Sequence, residues 1–339
     1  LEVFMNKPHK LITIRDIADR AGVSSATVSR AVNHRLKVST ETYKRITTAM
    51  EELGYVLPES PGHLAGDPNN RFVLLNIPQM GNPVFVDYVE GVSASAKKHN
   101  WHVLISTDRI VRKTQNTILE MLQSCHSAGI ISMNVCDPES LLFLNKHLPV
   151  VQCMERNPDL DIPYICVDDY SASMVAVEYL IRTGRRNIGV IHSTTMRTSL
   201  DRCNGYQEAV RRHGLSPDPS LNLHIDTMRS SMMRTIFKQC ISNFQTVPDA
   251  FFCTSDQVAN AALIALTEFG YRVPDDVALI GFDNSDVCEL STPRISTVSY
   301  PKYEAGYMAC EMLYEKFTNP DAVLRSLTLE TQLVIRQTT

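Results

Sequence analysis

The chain has 339 residues, 44% of them hydrophobic and 21% charged, with a formal net charge of −4. That length allows two or three domains at roughly 100–200 residues each, and the balance is that of a soluble globular protein, not a collagenous or low-complexity one. No apolar run reaches the roughly 18 residues that span a bilayer, and the nine cysteines, with no CxxC pair, predict reduced thiols in a cytoplasmic protein rather than a disulfide scaffold.

Residues 1–5 are set apart from the fold, with Met5 a candidate start. The first strongly apolar stretch, near Val73, lies too far along to act as a signal peptide. Residues 6–50 carry nine Lys/Arg against three Asp/Glu, while the rest of the chain is acidic. A basic segment on an acidic body suggests a nucleic-acid-binding head. Three short helices are predicted there. Thr13 caps the first, with Asp16 reaching back, and Ile14, Ile17, Ala18 and Ala21 follow helical spacing up to a stop at Gly22. Ser24 caps a second that turns Val28, Ala31 and Val32 inward. Ser39 caps a third, with Tyr43, Ile46, Met50 and Leu53 on its inner face and Gly54 at its end. The short connection around Gly22-Val23 is that of a helix-turn-helix, and the third helix is needed to close so small a core.

The head is expected to run from 6 to 57 and a linker rich in Pro, Gly, Asn and Asp from 58 to 70. From 71 to 339, short apolar runs alternate with helical patterns. One series has strands near 72–77, 102–106, 129–133 and 150–153. A second has strands near 165–167, 187–192, 222–225, 250–253 and 277–280, and further strands are expected at 296–299 and 328–335. Such alternation predicts parallel sheets covered on both faces. Two series predict two lobes, the first about 71–165 plus 295–322 and the second about 166–294 plus 323–339. A cleft at the carboxyl ends of their strands is the default ligand site.

The run from Thr13 to Asn33, T-I-R-D-I-A-D-R-A-G-V-S-S-A-T-V-S-R-A-V-N, resembles the DNA-binding head of the LacI/GalR family of bacterial transcriptional regulators. The likeness continues through Val38–Ile46 and Glu51–Tyr55. In the body it includes Asn82-Pro83, Arg202 with Gly205-Tyr206, Thr254-Ser255-Asp256, and Val273 through Asp283. The resemblance implies a small all-α helix-turn-helix head joined by a hinge to a two-lobed α/β core with parallel sheets, periplasmic-binding-protein-like type I, with three crossovers. It implies a homodimer on a pseudo-palindromic operator, with half-sites about 34–36 Å apart, and a small effector in the cleft, commonly a sugar or nucleoside-type metabolite. Ser25, Ala26 and Arg30 match base-reading positions, and a guanidinium can bind guanine through two hydrogen bonds. Ser24, Thr27, Ser29, Asn33 and Tyr43 suit phosphate contacts, which position without specifying. Ser24 can cap and contact at once; Thr27 can equally fill a gap. Lys7, Lys10, Arg35, Lys37, Lys44 and Arg45 would add salt-sensitive attraction. Where the family has a hinge helix, this chain has Ser60-Pro61-Gly62-His63-Leu64-Ala65-Gly66. Leu64 keeps the place of an apolar minor-groove wedge, Pro61 suits a first helical residue, and Gly62 weakens the turn. In the cleft, Arg202 and Asp283 match residues that bind effector hydroxyls; Ser255, Phe85 and Glu155 are further candidates. Arg202 as a lobe-bridging ion pair and Phe85 as plain core are the competing readings.

No GxG, no GxSxG with its catalytic partners and no HExxH occurs, so neither catalysis, a cofactor nor a metal is expected. Asp168-Asp169 and Asp275-Asp276 read as loop carboxylates, and Trp101 as core. No heptad tail follows Arg336, so a dimer is expected rather than a tetramer. Two alternatives stay open: the same regulator controlled by a protein partner, and, more remotely, a solute-binding protein.

Overall fold

The computed structural model describes residues 13–33, 39–53, 55, 71–225, 229–244 and 246–339, apart from the side chains of Arg30, Val32, Asn33, Thr40, Glu51 and Ser230. The chain divides into a head, Leu1–His63, and a core, Leu64–Thr339. Leu64 and the turn of helix expected over 60–66 lie outside the described residues, as do Lys7, Lys10, Arg35 and Lys37.

The head has three helices, α1 (Ile14–Ala21), α2 (Ser25–Asn33) and α3 (Thr40–Leu53). Thr13 and Asp16 form a reciprocal capping box, and Gly22 ends α1 at φ +64°, a left-handed turn that glycine adopts without penalty. Ser24 Oγ accepts the Thr27 N–H at 3.1 Å and Ser39 Oγ the Thr42 N–H at 3.2 Å, so both further helices start on their expected caps. Ile17, Ala18, Ala21, Val28, Ala31, Ile46, Ala49 and Met50 are buried together, with Val23, Tyr43, Leu53 and Tyr55 against them. Arg45 is tied inward: its Nη2 donates to the Ala21 carbonyl at 2.7 Å, serving the open end of α1 instead of standing free for phosphate.

The core holds two six-stranded sheets. The first has β1 (Arg71–Asn76), β2 (Trp101–Ser106), β3 (Ser127–Ser132), β4 (Val150–Cys153), β5 (Tyr164–Val167) and β11 (Leu327–Leu329), in the order β11-β5-β4-β3-β1-β2. The second has β6 (Ile188–His192), β7 (Asn222–His224), β8 (Ala250–Cys253), β9 (Ala278–Phe282), β10 (Ser296–Ser299) and β12 (Gln332–Val334), in the order β12-β10-β9-β8-β6-β7. All pairings are parallel except β10 with β12. The inner strands β3, β4, β6, β8 and β9 are buried along their whole length, which is why they read as largely apolar runs without alternation. Helices α4 (Val84–Lys98) and α12 (Lys302–Thr318) pack together beside the first sheet, and α7 (Asp169–Arg182) and α8 (Arg197–Arg212) beside the second. Trp101 is buried, its ring edge-on to Phe317.

The lobe boundaries need three corrections. The strand at 165–167 belongs to the first sheet, because Cys153 pairs with Ile165. The strand at 296–299 belongs to the second, between β9 and β12, because Val298 pairs with Phe282 and with Leu333. The single strand expected over 328–335 is two: β11 joins β5 of the first sheet, and β12 joins β10 of the second. The chain thus crosses between lobes after β5, after β10 and after β11, three times in all. No helix among the described residues is long and apolar enough to cross a membrane.

Candidate functional site

In the head, burying Val28 and Ala31 turns the opposite side of α2 outward. Ser24, Ser25 and Ala26 are exposed and Ser29 half-buried, so one face carries short side chains that let a surface approach closely. The side chains of Arg30 and Asn33 lie outside the described residues; their backbone continues α2. Thr27 is half-buried and its Oγ1 lies 2.8 Å from Ser24 Oγ, so it completes the cap. Tyr43 is half-buried on α3 against the head's core.

In the core, a cavity of about 660 Å³ opens between the lobes. Its walls come from the carboxyl ends of strands in both sheets, where loops leave backbone groups and side chains free to meet a ligand. Phe85, Arg202, Ser255 and Asp283 all line it. Phe85 is buried in the first turn of α4. Ser255 caps α10 (Asp256–Glu268), its Oγ accepting the Val258 N–H at 3.4 Å.

Arg202 is 5% exposed and bonded through Nε and Nη1. Its Nε donates to Asp169 Oδ1 at 2.7 Å, and its Nη1 donates to the Thr254 carbonyl at 2.7 Å and to Asp283 Oδ1 at 3.1 Å. The guanidinium also lies 3.6 Å from the centre of the Phe282 ring. All these partners belong to the second lobe, so Arg202 organises one wall and does not bridge the lobes. Asp283 accepts a further bond from the Tyr300 hydroxyl at 3.0 Å. Its backbone sits at φ +113°, a costly conformation for a residue with a side chain. Lys302 Nζ holds it there by donating to the Asp283 carbonyl at 2.6 Å. Burial pushes the Asp169 carboxyl up to about 6 against the pull of Arg202, and burial likewise raises Asp283.

Glu155 departs from expectation. It follows β4 but does not line this cavity; its carboxylate accepts the N–H of Arg197 at 3.2 Å, the N–H of Thr198 at 3.0 Å and the Thr198 hydroxyl. Met196, before α8, offers no side-chain cap, so an acid from the other lobe satisfies the helix's open donors. Glu155 is therefore a tie between lobes. Burial raises its carboxyl, and the bonds from Thr198 and Arg197 pull it back.

Asp168 and Asp169 are not loop carboxylates. Asp168 caps α7, accepting the Ser171 N–H at 3.0 Å, and Asp169 is buried beside Arg202. Asp276 does stay at the surface, paired with Arg272 at 2.7 Å. Two cavity residues had no sequence signal beyond their place after strands: Arg109, which is exposed, and Asn134, which is buried with its Nδ2 unpartnered.

Gly205 explains the spacing Arg202-x-x-Gly205. A Cβ there would strike the Tyr170 carbonyl and come 3.0 Å from Ser173 Cβ, so only glycine lets α8 lie close enough to α7 for Arg202 to reach Asp169. Gly205→Ala is expected to cost about 1–3 kcal/mol by overpacking. Thermal melting checks it; an unchanged midpoint would show that the helices part freely.

The head, residues 13–57, matches the family model for bacterial regulatory proteins of the lacI family, and residues 177–339 match that for a periplasmic binding protein-like domain. The chain is 30% identical over 336 residues to the HTH-type transcriptional repressor CytR of Escherichia coli (strain K12), covering 98% of both. It is 29% identical over 333 residues to the NTD biosynthesis operon regulator NtdR of Bacillus subtilis (strain 168), covering 96% of this chain and 99% of that one. Among solved structures, the transcriptional regulator CelR–cellobiose complex superposes with a TM-score of 0.70 at 26% identity, over 97% of this chain and all, 100%, of the other. The Lac repressor bound to ONPG shares the fold, with a TM-score of 0.72 at 22% identity over 97% and 100%.

Proposed function

The chain belongs to the lacI family of bacterial regulatory proteins, and from that membership we propose a homodimeric cytoplasmic repressor that binds a pseudo-palindromic operator under the control of a sugar or sugar derivative held between the core lobes. It is a DNA-binding transcription regulator and not an enzyme.

The observation that carries the effector reading is the fixed pair Arg202 and Asp283 on one wall of the cavity. A guanidinium donates and a carboxylate accepts, and adjacent hydroxyls of a polyol require both. Asp283 Oδ1 is taken by Arg202 and Tyr300, which leaves Oδ2 to accept a hydroxyl proton. Phe85 offers an apolar ring face to the same ligand. An effector that touches both lobes shifts their relative arrangement by its difference in affinity for the alternatives. That CelR was solved with cellobiose agrees with a carbohydrate here.

For DNA, the small exposed face of α2 supports close entry into a major groove, with Ser25, Ala26 and Arg30 reading bases. Ser24, Ser29, Asn33 and Tyr43 would hold phosphates, Thr27 supports the cap, and Leu64 would wedge the central minor groove. Selection of sites from a random duplex pool by the full-length protein tests this. Enrichment of a pseudo-palindrome is expected, and Arg30→Ala should lose about 1–3 kcal/mol of discrimination at one guanine per half-site. An enriched site without two-fold symmetry would remove the dimer; preference unchanged by Arg30→Ala would remove its reading role. A site whose occupancy ignores every metabolite and answers only to a second protein would favour control by a partner.

A further inference from the structure

We propose that the effector carries an anionic group, a phosphate or a carboxylate, and that Arg109 of the first lobe recognises it; this rests on the cleft being the effector site. The charged residues lining the cavity are Arg109, Arg202, Arg229 and Asp283. Arg202 is neutralised within its own lobe by Asp169 and Asp283. Arg109 is not. Its Nε donates to the Val135 carbonyl at 3.3 Å, and among the described residues no carboxylate makes an ion pair with its guanidinium.

A second, independent observation lies beside it. Asn134, the neighbour of Val135, is 8% exposed, and its Nδ2 has no acceptor. A buried donor without a protein partner is costly unless a ligand or water in the cavity supplies the acceptor, and here it is aimed where a ligand would sit. The first-lobe wall therefore presents donors and positive charge. A neutral hydroxyl can accept at this wall but carries no charge to pair with the Arg109 guanidinium; an anionic oxygen cluster is all acceptor and supplies the charge. The ligand that fits both walls places hydroxyls at Asp283 and its anionic group at Arg109 and Asn134.

The test is a thermal-shift and calorimetric screen of the full-length protein against matched sets: glucose and ribose, glucose 6-phosphate and ribose 5-phosphate, gluconate and ribonate, and inorganic phosphate alone. Arg109→Gln is screened beside it; this residue is exposed, so the variant should melt like the parent. Binding of the phosphate esters or the sugar acids, but not their neutral parents, weakened about tenfold or more in Arg109→Gln, is the expected result. Which set binds separates phosphate from carboxylate. Binding of neutral sugars in preference to charged ones, or anion binding indifferent to Arg109→Gln, overturns the inference and leaves the effector cleft standing. Binding of nothing by the parent removes the cleft as a sugar site, and the inference with it.

Discussion

Arg202→Leu is expected to lower the stability of the core by about 3–5 kcal/mol, the cost of stripping one partner from a buried ionic cluster. At this size that is on the order of 10 °C in melting temperature. Leucine replaces only part of the aliphatic stem, so the loss combines the charge, its hydrogen bonds and the guanidinium's contact with Phe282. Asp169 and Asp283 then face each other, both buried, with the cation between them gone. The Thr254 carbonyl loses its donor as well. Restoring neutrality should recover much of the loss: adding Asp169→Asn to Arg202→Leu removes one of the two stranded charges. If the double variant melts no higher than the single one, the cluster is not held by charge. Effector binding should be lost in both, because the wall that positions Asp283 depends on the guanidinium.

The features that could be read from sequence were local ones. Thr13, Ser24 and Ser39 cap helices through bonds to residues three positions on, and the i, i+1, i+4 spacing of Ile17, Ala18 and Ala21 sets the inner face with no long-range information. Sheet membership is another matter. The segments at 165–167, apolar, and 296–299, Ser-Thr-Val-Ser, are too short to carry a mark of their sheet, and only pairing across the fold assigns them. Over 328–335 only the polar pair Glu330-Thr331 stands where the chain leaves β11 for β12, and that break does not say which sheet each half joins. Arg202 and Asp283 were accessible through the family resemblance, whereas Arg109 and Asn134 stand alone in the chain and come together only because two loops meet. Glu155 was misplaced for a reason that can be named. The start of α8 lacks a Ser, Thr, Asp or Asn cap, and an uncapped helix start must find an acceptor elsewhere. That signal asks for an acceptor but names none; only the fold brings Glu155 to it.

Asp256→Asn is expected to change how stability depends on pH, with an effect of up to about 4 kcal/mol at alkaline pH, taking about 1.4 kcal/mol per pKa unit. Asp256 is 1% exposed. Burial, reinforced by the charge of Asp283, pushes its carboxyl from 3.8 up to about 7, despite the bonds from Thr297 and Ser285. Between about pH 4 and pH 7 the folded chain therefore keeps a proton that the unfolded chain has released. Its contribution is complete below about pH 4 and is lost as pH rises through about 7. Asparagine fits the same bonds. Its carbonyl can accept from the Ser285 N–H and hydroxyl, which lie 2.7 and 3.1 Å from Asp256 Oδ2. Its amide can donate to Thr297 Oγ1, whose own proton can turn to the Val298 carbonyl at 3.4 Å. Calorimetric melts from pH 5 to 8 should show the parent losing stability as pH rises and the variant losing less, so that the variant is the more stable at pH 8. Parallel curves would mean that Asp256 is ionised throughout in the folded protein. An Asp256 that holds its proton toward neutrality also spares Asp283 a second negative charge nearby. Asp283 can then stay ionised beside Arg202 and keep the acceptor that an effector hydroxyl requires.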